Sequence, residues 1–349
     1  MGELYNPEKE SSYIWYLDAN NLLGQAMSQK LPVSGFQWVL NPTLNLLNDR
    51  TYGYTFEVDL DYPEELHDLH NDYPLAPETL KAEDYKPLLS DYNKYIGDLT
   101  KTMDCGQKLI PNLMNKKNYV VHHEALRFYI KHGLKVSNVH RAIQYVERDF
   151  LKEYIDLNTA MRSKANNDFE KDFYKLMNNA VFGKTMENVE NRIELDVVSD
   201  DKQLLKCVNK PHMRTFKTIF DGVSLIQYYK CKAKLNKPIY IGQAILDLSK
   251  VRMYRFHYEY MKPRYGNDAK LLFTDTDSLS YHIKSKDVYA ENDLKGWFGT
   301  SDCVRDDVEK MNKKVLGMFK DESNGIPIME FVGLKPKVLR LHLVRRSRK

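Results

Sequence analysis

The chain has 349 residues, of which 42% are hydrophobic and 29% charged, and its formal net charge is +4. This length and composition predict a folded protein of two or more lobes and exclude both an intrinsically disordered chain and a small disulfide-stapled scaffold. The four cysteines lie far apart, with no C-x-x-C pair and no partnering histidines at metal spacing, so neither zinc nor a disulfide framework is indicated. No apolar run approaches the ~20 residues of a membrane-spanning helix.

The N-terminal third begins with a short β-rich run, residues 13–17, which ends at Asp18. From residue 32 to residue 119 short apolar runs alternate with Pro, Asn and Asp, and this pattern predicts an irregular inserted subdomain. A helix that ends at Gly133 and a strand over 136–145 are expected next. The histidines of this region are interpreted as scattered surface side chains rather than metal ligands, namely His67, His70, His122 and His123.

Residues 147–181 contain neither Pro nor Gly and carry good helix formers, so they predict one long helix or a pair of helices. Five polar side chains recur on one helical face: Lys164, Asp168, Lys171, Lys175 and Asn179. Two lysines four residues apart repel each other unless an anion lies between them. This face could therefore bind a triphosphate, or it could be an ordinary solvated lysine face.

Residues 201–270 hold fifteen Lys or Arg against five acids, whereas residues 57–84 hold ten acids against Lys81 alone. A basic lobe of this kind suits a channel for a polyanion, although solvated surface is the other reading. Within it the apolar spacing predicts an amphipathic helix over 245–261, stopped by Pro263 and Gly266. Beyond residue 300 we expect a helical stretch over 302–319 and two β-rich runs over 329–344.

Between these segments, residues 271–283 read as a β-hairpin with Asp275 and Asp277 at its turn. Paired carboxylates are costly unless a cation neutralises them, and hard oxygen ligands suit Mg²⁺ or Mn²⁺. The hairpin could form half of a two-metal phosphoryl-transfer site. Taken alone, it could equally be a solvated polar turn.

Three segments, in this order, resemble the polymerase motifs of family B DNA polymerases. The similarity is closest to the protein-primed branch of bacteriophages, adenoviruses, linear plasmids and transposons of the Maverick or Polinton type. The matching segments are Tyr16-Leu-Asp18-Ala-Asn20-Asn21-Leu22, Lys175-Leu-Met-Asn-Asn179-Ala180-Val-Phe182-Gly183 and Asp275-Thr-Asp277-Ser278. Gly333-Leu-Lys-Pro-Lys337 stands in the place of the family's Lys-x-Tyr step, so the resemblance spans almost the whole chain.

The resemblance implies an α+β fold, with a palm built on an antiparallel sheet, helical fingers and two insertion subdomains. It also leads us to expect that the exonuclease domain and the thumb are absent or vestigial. The implied domains are a palm over 1–34 and 236–349, an insertion resembling the terminal-protein-contacting region over 35–145, fingers over 146–190, and an insertion resembling the processivity region over 191–235.

The implied activity is template-directed addition of deoxynucleotides to a primer 3′ end by phosphoryl transfer with two Mg²⁺ or Mn²⁺ ions. Asp18, Asp275 and Asp277 would be the catalytic acids, and Asp18, Asp277 and the backbone carbonyl of Ala19 would hold the metal. The nucleotide would contact Lys171, Lys175, Asn179, Phe182, Asn21, Leu22 and Leu23, and the primer or DNA would contact Lys337, Gly183 and Ser278.

The implied partners are template-primer DNA and deoxynucleoside triphosphates, with a terminal priming protein as a further candidate and no membrane. The sequence starts with polar and charged residues, unlike a signal peptide, so we expect an intracellular location, with the nucleus or a viral replication site as candidates.

Three positions depart from the family pattern. Leu23 stands where the first motif usually has a tyrosine that blocks a ribose 2′ hydroxyl, Leu339 replaces the tyrosine of the Lys-x-Tyr step, and Ala180 stands where serine is common. These departures support an alternative, a catalytically impaired polymerase remnant that only binds nucleic acid. A metal-dependent nuclease or phosphatase is a third reading, against which the lysine helix argues.

Overall fold

The computed structural model describes residues 11–100, 106–291, 294–335 and 338–343. The strands in these ranges are β1 Ser11–Ala19, β2 Leu31–Trp38, β3 Gly53–Asp61, β4 Glu78–Lys81, β5 Gln107–Ile110, β6 Lys116–His122, β7 Lys135–Arg148, β8 Glu194–Val198, β9 Met213–Phe220, β10 Val223–Tyr228, β11 Ala269–Asp275, β12 Ser278–Ser285, β13 Phe319–Asp321, β14 Ile328–Lys335 and β15 Val338–Leu343. The α-helices are α1 Leu22–Met27, α2 His67–His70, α3 Ala82–Tyr85, α4 Asp91–Thr100, α5 His123–Lys131, α6 Lys152–Lys164, α7 Asp168–Thr185, α8 Asp201–Val208, α9 Ile239–Arg255, α10 Lys262–Tyr265, α11 Val288–Glu291 and α12 Leu294–Trp297.

The chain divides into two compact units. The smaller unit is Ala180–Gly242, and the larger one comprises the described residues up to Asn179 and from Gln243 onward. In the smaller unit the sheet β8-β10-β9 packs against α8 over a core of Val198, Cys207, Ile226 and Tyr228. None of the helices in the described ranges combines the length and the hydropathy that a membrane span requires.

An antiparallel sheet of order β11-β12-β1-β14-β15, with β13 also paired to β1, forms one half of the larger unit. The predicted run 13–17 is confirmed as part of β1, and it alternates strictly: Trp15, Leu17 and Ala19 are buried in the core. Successive strand residues point to opposite faces, so Tyr16 and Asp18 lie on the other face. The predicted hairpin is confirmed as β11 and β12.

A second antiparallel sheet, β2-β7-β3-β6, occupies the region that was predicted to be irregular. That prediction was wrong, because it gave more weight to the Pro and Asn residues than to the alternating pattern of β3. Every second side chain of this strand is buried, namely Tyr54, Phe56, Val58 and Leu60. The predicted helix before Gly133 is confirmed as α5, and Gly133 adopts φ +99° after it. The predicted strand over 136–145 is confirmed within β7.

A continuous helical rod connects the two sheets of the larger unit. It runs from α9 through a π-helical segment, Phe256–Met261, into α10 and ends at Gly266, φ +53°. Met253 and Phe256 belong to the core beneath β1 and β12, whereas Val251 and Tyr254 belong to the core beneath β3. The amphipathic helix predicted over 245–261 is thus confirmed, and its apolar residues pack into two different cores.

The segment 147–181 contains two helices, most of α7 and all of α6. Of the two predicted alternatives, the pair of helices is therefore confirmed and the single long helix is not. Asn167 caps α7, because its Oδ1 accepts a 2.8 Å hydrogen bond from the Glu170 amide. The helices are joined where the Tyr154 hydroxyl donates to the Met177 carbonyl at 3.1 Å.

The prediction of a helix over 302–319 was wrong. These residues form turns that lead into β13. Asn312, Lys314 and Gly317 adopt φ values of 52°, 57° and 70°, and left-handed residues interrupt a right-handed helix. The segment folds back on itself instead, since the Thr300 amide donates to the Met311 carbonyl at 3.0 Å.

The interpretation of the histidines as surface side chains was wrong for three of the four, whereas His67 is half-buried. His70, His122 and His123 are each less than 5% exposed. They lie beside the core beneath β3, where their ring nitrogens form hydrogen bonds with backbone, hydroxyl and carboxylate groups.

Candidate active site

The turn between β11 and β12 places two acids side by side. Thr276 adopts φ +55°, which is strained for a β-branched residue. The Asp277 amide donates to the Asp275 carbonyl at 2.6 Å, and the buried Ser278 hydroxyl donates to the same carbonyl at 3.2 Å. Backbone strain of this kind is found at functional sites when the surrounding structure holds it in place.

Antiparallel pairing of β1 with β12 brings Asp18 to this turn. Asp18 lies opposite Ser278, and the Ala19 amide donates to the Asp277 carbonyl at 2.7 Å. On its other side β1 pairs with β13, which sets Lys320 opposite Asp18. Asp18 and Asp277 therefore share one end of the sheet.

Burial and neighbouring negative charges raise the pKa of both carboxyl groups. Burial is the main cause that raises the pKa of Asp18 to about 7, and the negative charges of Asp277 and Glu322 add to it. Burial also raises the pKa of Asp277, and Asp275 adds to the effect. Lys175 acts in the opposite direction on both acids, so its ammonium group lies within their electrostatic reach.

A cleft of about 320 Å³ opens beside these acids. Lys175 and Asn179, one turn apart on α7, form part of its lining. Lys171 lies one turn earlier and pairs with Asp168 at 2.9 Å. Its charge also acts on Lys314, whose pKa is lowered by burial and by neighbouring cations.

Helix α1 supplies a second wall of the cleft through Asn21, Leu22 and Leu23. Asn21 adopts a left-handed conformation, φ 43°, and its Oδ1 caps α1 by accepting from the Gly24 amide at 3.1 Å. A Cβ at residue 24 would lie 2.4 Å from the side-chain nitrogen Nδ2 of Asn21, so the glycine makes this cap sterically feasible. Leu22 is buried.

Phe182 and Gly183 follow Asn179 on α7 but belong to the smaller unit, where Phe182 is half-buried and Gly183 is exposed. Lys337 lies outside the described residues. Leu339, which departs from the family pattern, pairs with Gly333 across β14 and β15.

Several lining residues were missed by the sequence reasoning: Asn20, Arg162, Lys320 and Glu322. Lys320 and Glu322 alternate around Asp321, so a period-two reading of this segment could have placed them on one face. Nothing in the sequence singles out Arg162. Its position depends on how α6 packs beside α7, and its Nε is buried without a hydrogen-bond partner among the described residues.

Comparison with known proteins adds the following. Residues 3–263 match the model of a family described as DNA polymerase type B, organellar and viral. No curated protein matches the chain at a significant level. Among solved structures, Phi29 DNA polymerase complexed with primer-template DNA and incoming nucleotide substrates aligns with a TM-score of 0.56 and 13% identity over 97% of this chain and 48% of that chain.

An orthorhombic crystal form of Phi29 DNA polymerase aligns with a TM-score of 0.53 and 14% identity, covering 98% of this chain and 48% of that one. The chain thus spans about half the length of the Phi29 structures it matches. At this identity the likeness establishes the fold, and it confirms the predicted α+β architecture with antiparallel sheets.

Proposed function

This chain belongs to the DNA polymerases of type B, organellar and viral, and on that basis we propose that it forms the core of a DNA-directed DNA polymerase. Membership of this family confirms the resemblance of its motifs to protein-primed family B enzymes. The proposed reaction is template-directed addition of deoxynucleotides to a primer 3′ end. The observation that carries the proposal is the meeting of Asp18 and Asp277 beside a cleft that Lys175 lines.

Asp18 and Asp277 fit divalent ions of the Mg²⁺ or Mn²⁺ class. Their carboxylates are hard oxygen donors, and the burial and repulsion that raise both pKa values are costs that a cation would remove. In this proposal Asp18, Asp277 and the Ala19 carbonyl hold two ions, and Asp275 is an auxiliary acid. When bound, such ions stabilise negative charge on the attacking and leaving oxygens of a phosphoryl transfer.

The nucleotide would occupy the cleft that α7 and α1 line. Lys175 would neutralise the triphosphate, with Lys171 as a second contact and Asn179 against the nascent pair. Arg162 is an unforeseen candidate for the same role, because it lines this cleft. Asn21, Leu22 and Leu23 would bound the sugar side, while Phe182 would pack near the base.

We further propose that the DNA lies along basic surface and contacts Ser278, Gly183 and Lys337. Residues 201–242 of the smaller unit carry nine Lys or Arg against two acids, which suits a polyanion. We retain the domain assignment made from the sequence, with fingers over 146–190, insertions over 35–145 and 191–235, and the palm in the remainder. The first insertion is the candidate contact for a terminal priming protein, and an intracellular site of DNA replication, nuclear or viral, is the proposed location.

A second candidate function is a remnant that binds nucleic acid without catalysis. It is favoured by one observation, the apolar Leu23 in the lining of the cleft, where the family pattern has a tyrosine. Such a remnant would bind DNA in a salt-sensitive manner but would not incorporate nucleotides.

Primer extension on a primed single strand, with Mg²⁺ and deoxynucleotides, distinguishes the two functions. The native chain is expected to extend the primer, and Asp277→Ala is expected to abolish extension while fluorescence anisotropy still reports DNA binding. DNA binding without extension by the native chain would favour the remnant. Extension that survives Asp277→Ala would overturn the assignment of the acids.

A further inference from the structure

Three side chains of the second sheet form a buried cluster outside the polymerase site: His122, His123 and Glu147. His122 ends β6, His123 begins α5, and Glu147 lies near the end of β7. One potential ligand atom from each residue lies within 4.8 Å of the other two. Two imidazoles and a carboxylate are a donor set that suits Zn²⁺.

Two of the separations between these donors are close to those around a small metal ion. His122 Nε2 lies 3.2 Å from Glu147 Oε1, and His123 Nε2 lies 3.8 Å from Glu147 Oε2. Ligands bound tetrahedrally to Zn²⁺ at ~2.0–2.2 Å are roughly 3.3–3.6 Å apart. An ion would therefore need only small side-chain movements.

The charge balance of the cluster also favours a cation. The Glu147 side chain is 13% exposed, and no Lys or Arg in the described part of the chain forms an ion pair with it. A second buried carboxylate is close, since Asp247 Oδ2 accepts from the His122 amide at 2.9 Å, but Asp247 has its own cation, with Lys250 Nζ 3.5 Å from Oδ1. A buried carboxylate without a cationic partner costs folding free energy.

The histidine rings are positioned by their second nitrogens. His123 Nδ1 lies 3.1 Å from the Tyr54 carbonyl and 3.0 Å from the Tyr54 amide, so it can either donate or accept. Donation to the carbonyl leaves the Nε2 lone pair free, as is usual for metal-bound histidine. His122 Nδ1 accepts a long bond from the Glu124 amide at 3.4 Å, so in this arrangement Nε2 carries the proton and donates to Glu147 Oε1 at 3.2 Å. Ion binding at Nε2 would displace this proton and break the bond from Glu124.

Gly53 makes the cluster sterically possible. Strand β3 lies between β7 and β6, so the Glu147 side chain must cross β3 to reach His122. It crosses at Gly53, where a Cβ would lie only 2.4 Å from Glu147 Cδ and 2.4 Å from Tyr145 Cε2. The missing side chain at residue 53 opens the path between β7 and β6, the strands on either side of β3.

We propose that His122, His123 and Glu147 bind one divalent transition-metal ion of the Zn²⁺ class. The ion has a structural role: it joins β6, β7 and the start of α5, and through the His122 amide it is coupled to Asp247 on α9. The fourth ligand is water or Glu124, whose Oε1 lies 3.5 Å from His123 Nε2. This site is separate from the proposed Mg²⁺ acids and does not depend on polymerase activity.

The test measures Zn²⁺ itself on the full chain. After removal of metal with a chelator, the protein is loaded with Zn²⁺, passed through gel filtration and analysed for metal content, and its affinity is measured by competition with a chromophoric chelator. We expect one Zn²⁺ per chain and a tetrahedral Co²⁺ absorption spectrum after substitution. Glu147→Gln, which preserves side-chain shape, is expected to weaken Zn²⁺ binding at least tenfold.

Two matched variants identify the site. His140→Ala removes a histidine of the same sheet that pairs with Asp59 outside the cluster, and Asp277→Asn removes a polymerase acid; both should retain the ion. His123→Ala should lose it, and if that variant does not fold, circular dichroism shows this and Glu147→Gln decides. The proposal is overturned if the native chain holds no Zn²⁺, if Glu147→Gln binds it as tightly as the native chain, or if Asp277→Asn alone releases it.

Discussion

Replacing Asp277 with Asn should stabilise the ion-free protein even though it removes an acid of the proposed polymerase site. Strand pairing holds Asp18 and Asp277 at one end of the sheet, where both are partly buried and each carries a raised pKa. Asparagine keeps the shape of the side chain and the backbone bond from Ala19, which involves only the residue's carbonyl. The substitution therefore removes repulsion without disturbing the turn.

The size of the gain follows from the pKa of Asp18. A rise from 3.8 to about 7 corresponds to at most ~4 kcal/mol between the two protonation states, at ~1.4 kcal/mol per pH unit. Burial is the larger cause, and water screens a carboxyl group that is still partly exposed, so the share of Asp277 is about 1 kcal/mol. We expect Asp277→Asn to raise the free energy of unfolding by about this amount at pH 8.

The sign of the pH dependence is fixed by where the proton is held. Folded Asp18 keeps its proton up to about pH 7, whereas the unfolded chain releases it near pH 3.8, so the folded state binds more protons between these values. The free energy of unfolding of the native chain should therefore fall as pH rises through this window. The fall should be smaller in Asp277→Asn, and the gain from the substitution should shrink at pH 5.

Urea unfolding followed by circular dichroism, in EDTA at pH 8 and pH 5, measures these effects. Asp268→Asn is the control, because Asp268 is a largely exposed acid just before the same hairpin, and it should change stability by less than ~0.5 kcal/mol. Added Mg²⁺ should then stabilise the native chain more than the variant. A variant that is less stable than the native chain at pH 8, or a gain of equal size at pH 5, would refute the reasoning.

Three further changes test the site and the core. Lys175→Ala should raise the KM for deoxynucleotides by about thirtyfold in steady-state primer extension, since a charge-assisted hydrogen bond contributes ~2 kcal/mol. The control is Lys184→Ala, on the same helix but paired with Glu187, which should leave the KM unchanged. An unchanged KM in Lys175→Ala would show that Lys175 does not contact the triphosphate. Gly53→Ala should cost ~1–3 kcal/mol in urea unfolding, because its Cβ would clash with the Glu147 side chain, and an unaffected variant would mean that this side chain moves freely. Phe56→Ala, at a fully buried position of β3, should cost ~3–5 kcal/mol, and a loss below ~1 kcal/mol would contradict its place in the core.

The sequence by itself determined the features that depend on near neighbours. A short run of β-forming residues predicted β1, and β-forming residues on both sides of a short polar turn predicted the hairpin of β11 and β12. Helix spacing put Lys175 and Asn179 on one face of α7, and Gly133 marked the end of α5. Periodicity and turn chemistry act over a few residues, so a local pattern contains this information.

Only the tertiary structure decided which distant segments meet. The register that sets Asp18 opposite Ser278, and the packing that brings Arg162 to the same cleft, are not encoded by any local pattern. The same holds for the contact between Glu147 and His122. Strand β3 lies between their strands, and the Glu147 side chain can cross it because residue 53 is a glycine. Strand pairing and burial are properties of the whole core, and the free energy that selects them is gained only when segments far apart in sequence pack together.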